Sequence, residues 1–430
     1  MAFQDYLAAL TSPFKKLTKL EFLQPDNSVA FALDNTYKSG YNNKYDSRAF
    51  IQQGSLSVTL QNGQRRKASV MLSNLDGAFE YSINKLWFGQ RMRLSMGIAL
   101  PDGSEFYLPQ GVFYADNPSA TFTPSGRTAT YSLVDKWAYL DGSLFGQLEE
   151  GYEIGEGADV FEAMSQLLTL SRVDFSNDAP SQLQIDNISP TFTSWYNGKS
   201  YTLADGGTVP MRNVPYDIVV DSDGGTIADV ISELNTVIAG MIGYDQRGSL
   251  RVDPSQDDIS DADKPILWTF SPENSTFCGL DESIQNAETY NDIIIIGEDL
   301  KDNAIYGRAT DYDPSSPTNV NRIGRKIYRE SRSSYWNAEQ CVDLASFLLK
   351  QKTVLQRSIT VRSTQMFHLY ENGVVAVKRT DKPGQPIERH LIQSFTIPLA
   401  ETGEMSVNAT SISDNPVIST ESSYTAEGQS

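Results

Sequence analysis

Cysteine and histidine are nearly missing from this 430-residue chain, which holds Cys278, Cys341, His368 and His390 and no others. Cysteines so far apart in sequence supply neither a disulfide framework nor a CxxC metal pair. A Ser–His nucleophile would need one of the two histidines as base, and neither adjoins a Gly-x-Ser-x-Gly turn. Basic charge is also short: 35 Lys and Arg stand against 54 Asp and Glu, a formal net charge of −19. So acidic a surface repels phosphate, which excludes general or sequence-specific binding to DNA and adhesion to anionic membrane. It serves solubility, and it equally suits a lumen through which nucleic acid passes without sticking. No run of about 18 apolar residues exists, so no stable membrane insertion is expected. The opening Met1-Ala-Phe-Gln-Asp-Tyr6 has no basic stretch followed by an apolar one, so no secretory signal is expected. The chain is expected to be made in a cytoplasm and to stay soluble or join an assembly.

Catalytic signatures are absent too. Asn197-Gly-Lys-Ser200 ends like a phosphate-binding loop, but Thr193 stands where the first glycine is required. Gly155-Glu-Gly157 precedes a helix without the third glycine or the apolar strand of a dinucleotide fingerprint. Asp221-Ser-Asp223-Gly-Gly suggests calcium, yet Gly225 takes a ligand position and Ser232 the place of the bidentate glutamate. It reads as a turn. Asp253, Asp257, Asp258, Asp261 and Asp263 read as a solvated acidic loop. Paired carboxylates for sugar hydrolysis meet in space, not in sequence, and 54 acids make their presence uninformative. No catalytic, cofactor-binding or metal-binding residue is assigned, and no cofactor is expected.

What the sequence does hold is material for β-structure. Hydrophobic residues make up 40% and aromatics 10%, with 21 Tyr and 19 Phe, enough to build cores; the length implies two to four of them. Lys19 to Gln24, Ser28 to Leu33 and Gly54 to Leu60 alternate at period two, and Asn62-Gly63 offers a hairpin turn before the strand Lys67 to Leu72. Gln4 to Leu10 forms a short amphipathic segment before Pro13. In the middle, helices are expected over Ala158 to Leu170 and from Thr226, where Asp229 completes a capping-box-like pair. A hairpin turns at Arg247-Gly248. Residues 172–222 read as a loop-rich surface excursion. Strands resume near residue 276, with a third helix from Asn337 carrying Gln340 at the capping-box position.

A faint internal echo runs through the strands. Arg66 to Ser73, Arg91 to Met96, Gly111 to Asp116 and Thr128 to Leu133 are separated by a linker ending at Phe88-Gly89 and by turns at Pro101-Asp-Gly103 and Gly126. The same order recurs in Gln356 to Ser363, Val374 to Arg379, His390 to Phe395 and Met405 to Ile412, with a linker ending at Asn372-Gly373 and turns at Lys382-Pro-Gly384 and Gly403. The echo is either a duplication or a coincidence of generic hairpins. If it is a duplication, each half is a small antiparallel barrel or sandwich that closes to hide its edges. Two basic clusters, Arg65-Arg-Lys67 and Arg322, Arg325, Lys326, Arg329 with Arg332, read as solvated or locally paired faces, or as patches against an acidic neighbouring subunit.

Three stretches, Gly54 to Asp135, Thr226 to Val252 and Asn337 to Ser413, together resemble the bacteriophage tail hub family. That family includes baseplate and tail-tip hubs and the N-terminal part of tail-associated lysins, and more distantly type VI secretion spike proteins. In the last stretch, Asn337-Ala-Glu-Gln340 opens a helix before Arg357-Ser-Ile-Thr-Val361 and Leu369-Tyr-Glu-Asn-Gly-Val-Val-Ala-Val377. The resemblance implies a mainly β fold with some α: two tail-tube-like antiparallel β-barrel domains at 1–145 and 276–415. A helix-containing middle domain at 146–275 would link them, and a flexible tail would occupy 416–430. It also implies a homotrimer whose six barrels adapt a sixfold tube to a threefold tip, with DNA passing through the lumen. The partners implied are a distal tail or tail tube protein, a tape measure protein, and tail spike, fibre or receptor-binding components. The location implied is the virion tail, assembled in the host cytoplasm. Lysin-type relatives continue into a peptidase or muramidase domain; this sequence carries no such stretch, and region 172–222 has no counterpart. The competing reading is a carbohydrate-binding adhesion component using Trp195 and Tyr196 as stacking groups; a wall hydrolase is the third.

Overall fold

The computed structural model describes residues 2–24, 27–36, 50–74, 79, 90–124, 126–170, 196–202, 206–221, 223–238, 240–254, 264–285, 290–301, 303–314, 316–331, 335–353, 356–400, 402–411 and 418–424. The amphipathic opening becomes α1 (Ala2–Ala9), which buries Tyr6 and sets Leu10 inward just past its end. Eight strands follow: β1 (Lys15–Leu23), β2 (Val29–Asp34), β3 (Ile51–Thr59), β4 (Arg66–Ser73), β5 (Arg91–Ala99), β6 (Glu105–Ala115), β7 (Ser119–Thr123) and β8 (Gly126–Asp135). They pair in the order β3-β4-β8-β6-β5-β1-β2, with β7 running beside β8 beyond β6. Every pairing is antiparallel, so one face of each strand can meet the core while the other meets water. In β4 this is visible residue by residue: Ala68, Val70 and Leu72 are buried and Lys67 is exposed.

The middle of the chain builds a separate core. Its elements are β9 (Tyr152–Ile154), α2 (Val160–Leu170), β10 (Ser200–Thr202), β11 (Thr208–Pro210), β12 (Ile218–Val220), α3 (Ile227–Val237), β13 (Gly240–Tyr244) and β14 (Leu250–Pro254). Strands pair two by two, and Met164 and Leu167 of α2 share a core with Ile231 and Leu234 of α3. The expected box at the start of α3 is complete: Thr226 Oγ1 accepts from the Asp229 amide at 3.2 Å, and Asp229 Oδ2 accepts from the Thr226 amide at 2.8 Å. Of the excursion expected over 172–222, residues 171–195 lie outside the described residues, and the remainder supplies β10, β11 and β12.

The last part holds β15 (Ile266–Phe270), β16 (Phe277–Gln285), β17 (Asp292–Glu298), β18 (Ala304–Asp311), α4 (Val320–Ile323), β19 (Ile327–Ser331), α5 (Ala338–Thr353), β20 (Gln356–Ser363), β21 (Val374–Lys378), β22 (Ile387–Pro398), β23 (Met405–Ser411) and β24 (Ile418–Tyr424). A second lobe forms in the order β16-β20-β23-β22-β21-β15, antiparallel except for the parallel β15·β21 edge. The expectation of one barrel over 276–415 needs correction, because a second unit is inserted between β16 and β20. There β19-β17-β18-β24 form a sheet, and Ile293, Ile295 and Ile305 share a core with Cys341, Ala345 and Leu349 of α5. Residues 418–424, expected in a loose tail, complete that sheet by pairing with β18. β15, expected in the middle domain, belongs to the second lobe.

Closure also differs from expectation. Among the described residues neither lobe's sheet closes on itself. The edge that closure would have hidden is instead paired across the two lobes, and their apolar side chains merge into one core.

Candidate assembly interface

The two lobes are built to one plan. β3-β4-β8-β6-β5 in the first corresponds strand for strand to β16-β20-β23-β22-β21 in the second. The match extends to irregularities. One extra residue bulges between Ile51 and Gln53 opposite Leu72 and Met71; one extra residue bulges between Phe277 and Gly279 opposite Ser363 and Arg362. Gln52 and Cys278 are thus the same position. In the return strand, Ile392 and Ser394 oppose the consecutive residues Ala409 and Asn408, so Gln393 is in excess. In the first lobe, Ala115 opposes Leu133 and Ser119 opposes Thr130, so 116–118 carry the same one-residue excess. Bulges shift the register of everything beyond them, so coincident bulges in unrelated hairpins would be unexpected. The interrupted pair β6 and β7 is therefore the counterpart of the single long strand β22.

The lobes meet edge to edge. The end of β22 lies antiparallel to β3, with Ser394 opposite Thr59, Thr396 opposite Ser57 and Pro398 opposite Ser55. The Leu399 amide donates to Gly54 O at 2.8 Å, and the Leu60 amide donates to Gln393 O at 2.7 Å. Gly54 sits at φ +140, and a Cβ there would lie 1.9 Å from Ser69 O, so glycine is required at this corner. Leu56, Val58, Phe395, Ile397 and Leu399 are all buried along the seam. Lys16 is also buried here; its ammonium donates to Ala400 O at 3.0 Å and to Pro398 O.

A charged node locks both lobes to the middle unit. Arg65 and Arg66, read as a solvated or locally paired face or as a patch against a neighbouring subunit, are 2% and 1% exposed. Asp135 Oδ2 accepts from both of their amides, at 2.9 and 2.8 Å. Arg66 pairs with Glu371 of the second lobe at 2.5 Å. Arg65 reaches Asp253 of β14 at 3.7 Å and Glu371 at 3.8 Å, and Arg251 pairs with Asp253 at 2.8 Å. Gly243 makes the room: a Cβ there would come within 2.3 Å of Arg65 Nε. Burial pulls the Arg65 guanidinium below its ordinary value, against Glu371 and Asp253. Burial also opposes the charge of Arg251, yet Asp253 and Glu371 hold it above its ordinary value. Asp135 is pushed up to about 6 by burial, against the three amides that bond it. Asp253, expected in the acidic loop, is therefore a buried partner; Asp257, Asp258, Asp261 and Asp263 lie outside the described residues. Sequence reading missed Glu371, because nothing local marks it as the counter-ion of a residue in the other lobe.

Among the described residues, the others singled out in the sequence do not converge on a reaction centre. His368 bonds Tyr6 and Leu267, and His390 faces Glu388 across 3.8 Å. Burial holds both histidines down at about 4. Tyr196, offered as a sugar-stacking group, is buried, and its hydroxyl donates to Ile238 O at 3.1 Å. Trp195 and Thr193 lie outside the described residues, as does Arg332. Arg322, Arg325, Lys326 and Arg329 are exposed around β19, with Arg325 also 3.7 Å from Asp292. Asp221 and Asp223 are exposed on the turn before α3.

No protein-family model and no curated protein matches the sequence. Solved structures do match in fold. The tail protein from Neisseria meningitidis MC58 aligns with a TM-score of 0.55 and 9% identity, over 92% of this chain and 96% of that one. The 43 kDa tail protein of prophage MuSo2 from Shewanella oneidensis aligns with a TM-score of 0.50 and 12% identity, over 92% of this chain and 98% of that one. At these identities the likeness is one of fold.

Proposed function

We propose that this chain, which shares its fold with two tail proteins, is a structural, non-enzymatic component of a phage tail: a trimeric hub at the baseplate or tail tip. Each copy contributes two tube-like lobes, so three copies present six similar β-surfaces to a sixfold tube and a threefold surface to the tip. The observation that carries this reading is the duplicated lobe, matched in strand order and in both bulges. One polypeptide needs such a duplication to bridge those two symmetries. The net charge of −19 supports a lumen that DNA traverses without adhering. The partners that fit are a distal tail or tail tube protein, a tape measure protein, and spike, fibre or receptor-binding components, assembled in the host cytoplasm into the virion tail.

The test is the mass of the purified chain in solution together with negative-stain class averages. A mass of three copies and a ring with six peripheral densities is expected. A monomer at all concentrations would overturn the proposal.

A further inference from the structure

The seam inside the chain specifies a seam between chains. Resting on the duplicated-lobe reading above, we propose that β7 of one copy pairs antiparallel with β16 of a second copy, reproducing the β22·β3 contact. Within one chain, the end of β22 in the second lobe lies on β3 of the first. The counterpart of that end of β22 is β7, and the counterpart of β3 is β16, because both bulge positions coincide. Among the described residues β7 has one strand neighbour, β8, and β16 has one, β20. The outer edges of the two strands are thus the places where the internal contact is not repeated within the chain.

The correspondence fixes the register. Thr396 opposite Ser57 becomes Ser119 opposite Ser283, Ile397 opposite Leu56 becomes Ala120 opposite Glu282, and Pro398 opposite Ser55 becomes Thr121 opposite Asp281. The bond from the Leu399 amide to Gly54 O becomes one from the Phe122 amide to Leu280 O. Phe122 is the second observation. It is 81% exposed, the most exposed of the large hydrophobic residues among those described, whereas its counterpart Leu399 is 1% exposed. A large aromatic in water on an edge strand is an association hazard unless a partner covers it. All five residues of β7 are exposed, and so are Asp281, Glu282 and Ser283 of β16. Pro118 stands where Phe395 does and has no amide to give, so that end of the new ladder has one donor fewer. The contact is heterologous: each copy offers β7 on one side and β16 on the other, so repetition gives a ring where the rotation between copies closes, as the trimer requires.

The experiment uses the full chain in a Cys278→Ser background. Ser119 and Ser283 face each other across the proposed seam, so Ser119→Cys with Ser283→Cys is expected to oxidise to covalent oligomers. Ser119→Cys with Asp281→Cys, displaced along the strand, should not. Phe122→Asp is expected to lower association at least tenfold in sedimentation while leaving thermal unfolding of the separated chain in place, because Phe122 takes no part in that chain's own core. An oligomer that fails to cross-link at 119/283, or that survives Phe122→Asp, overturns this seam while leaving the hub reading standing. A parent chain that is monomeric throughout and forms no cross-link overturns both.

Discussion

The phenol of Tyr6 donates to Nδ1 of His368 across 3.1 Å, tying the first helix to the loop between β20 and β21. The remaining partners fix the ring's state. Leu267 O, 3.3 Å from Nε2, can only accept, so Nε2 carries the proton. The Tyr6 oxygen in turn accepts from the Phe367 amide at 2.9 Å. A neutral imidazole satisfies every atom in the chain of bonds, and a second ring proton would oppose the Tyr6 donor.

Stability should therefore fall in mild acid. His368 titrates near 4 in the fold against 6.5 for the ordinary side chain, because burial penalises its charged form. The unfolded chain binds the proton first, so the contribution is complete above pH 6.5 and is lost as pH drops toward 4, by about 3 kcal/mol. Urea unfolding at pH 7.5 and pH 4.5 checks this: His368→Gln should shrink the difference without abolishing it, because His390 is held at about 4 as well, and an unchanged difference would count against the assignment.

Removing Glu371 strands two buried guanidinium groups. Glu371→Ala is expected to cost about 3–5 kcal/mol, read from the urea midpoint. Arg66→Met combined with Glu371→Leu should recover much of that loss, since the desolvation of both ions disappears with them. Equal losses in the single and double variants would show that shape, not charge, matters at this node.

Gln340 does something other than box its own helix. Its Oε1 accepts from the Trp336 amide at 3.3 Å, while its Nε2 donates to Thr236 O at 3.1 Å and Val237 O at 3.3 Å, at the end of α3. It joins the inserted unit to the middle one. Gln340→Ala should cost about 1–2 kcal/mol, and Gln340→Glu, which cannot donate to those carbonyls, should cost no less. Thermal unfolding of the two variants compares them.

The two thiols should separate cleanly in reactivity. Cys278 is exposed on its bulge, whereas Cys341 is buried on the core-facing side of α5 and burial pushes its thiol up to about 12. One equivalent of a maleimide should add to the native chain and the second only after unfolding. Addition of two equivalents to the folded protein would contradict the packing of α5.

Local signals carried far into this fold. The capping residues of α3, the hairpin at Gly248 and the duplicated strand order could all be read from spacing, because each depends on residues a few positions apart. Arg66 and Arg357 fall at equivalent places in β4 and β20 for the same reason. What could not be read depends on distant chain segments meeting. The pairing of β22 with β3 and the ion pair of Arg66 with Glu371 join residues separated by most of the sequence. Basic residues in an acidic chain look solvated until their counter-ions are located. Tyr196 looked available for stacking because its partner, Ile238 O, belongs to a backbone group whose position no sequence pattern marks.

The strand β24 imposes an order of events during synthesis. Its neighbour β18 leaves the ribosome more than a hundred residues earlier, and must wait with one edge uncovered while β20 to β23 of the second lobe are translated. The inserted sheet can thus reach its final width only after that lobe has been made. Co-translational maturation of this chain should end at the insertion, and nascent chains cut before residue 418 should expose β18 to capture by chaperones.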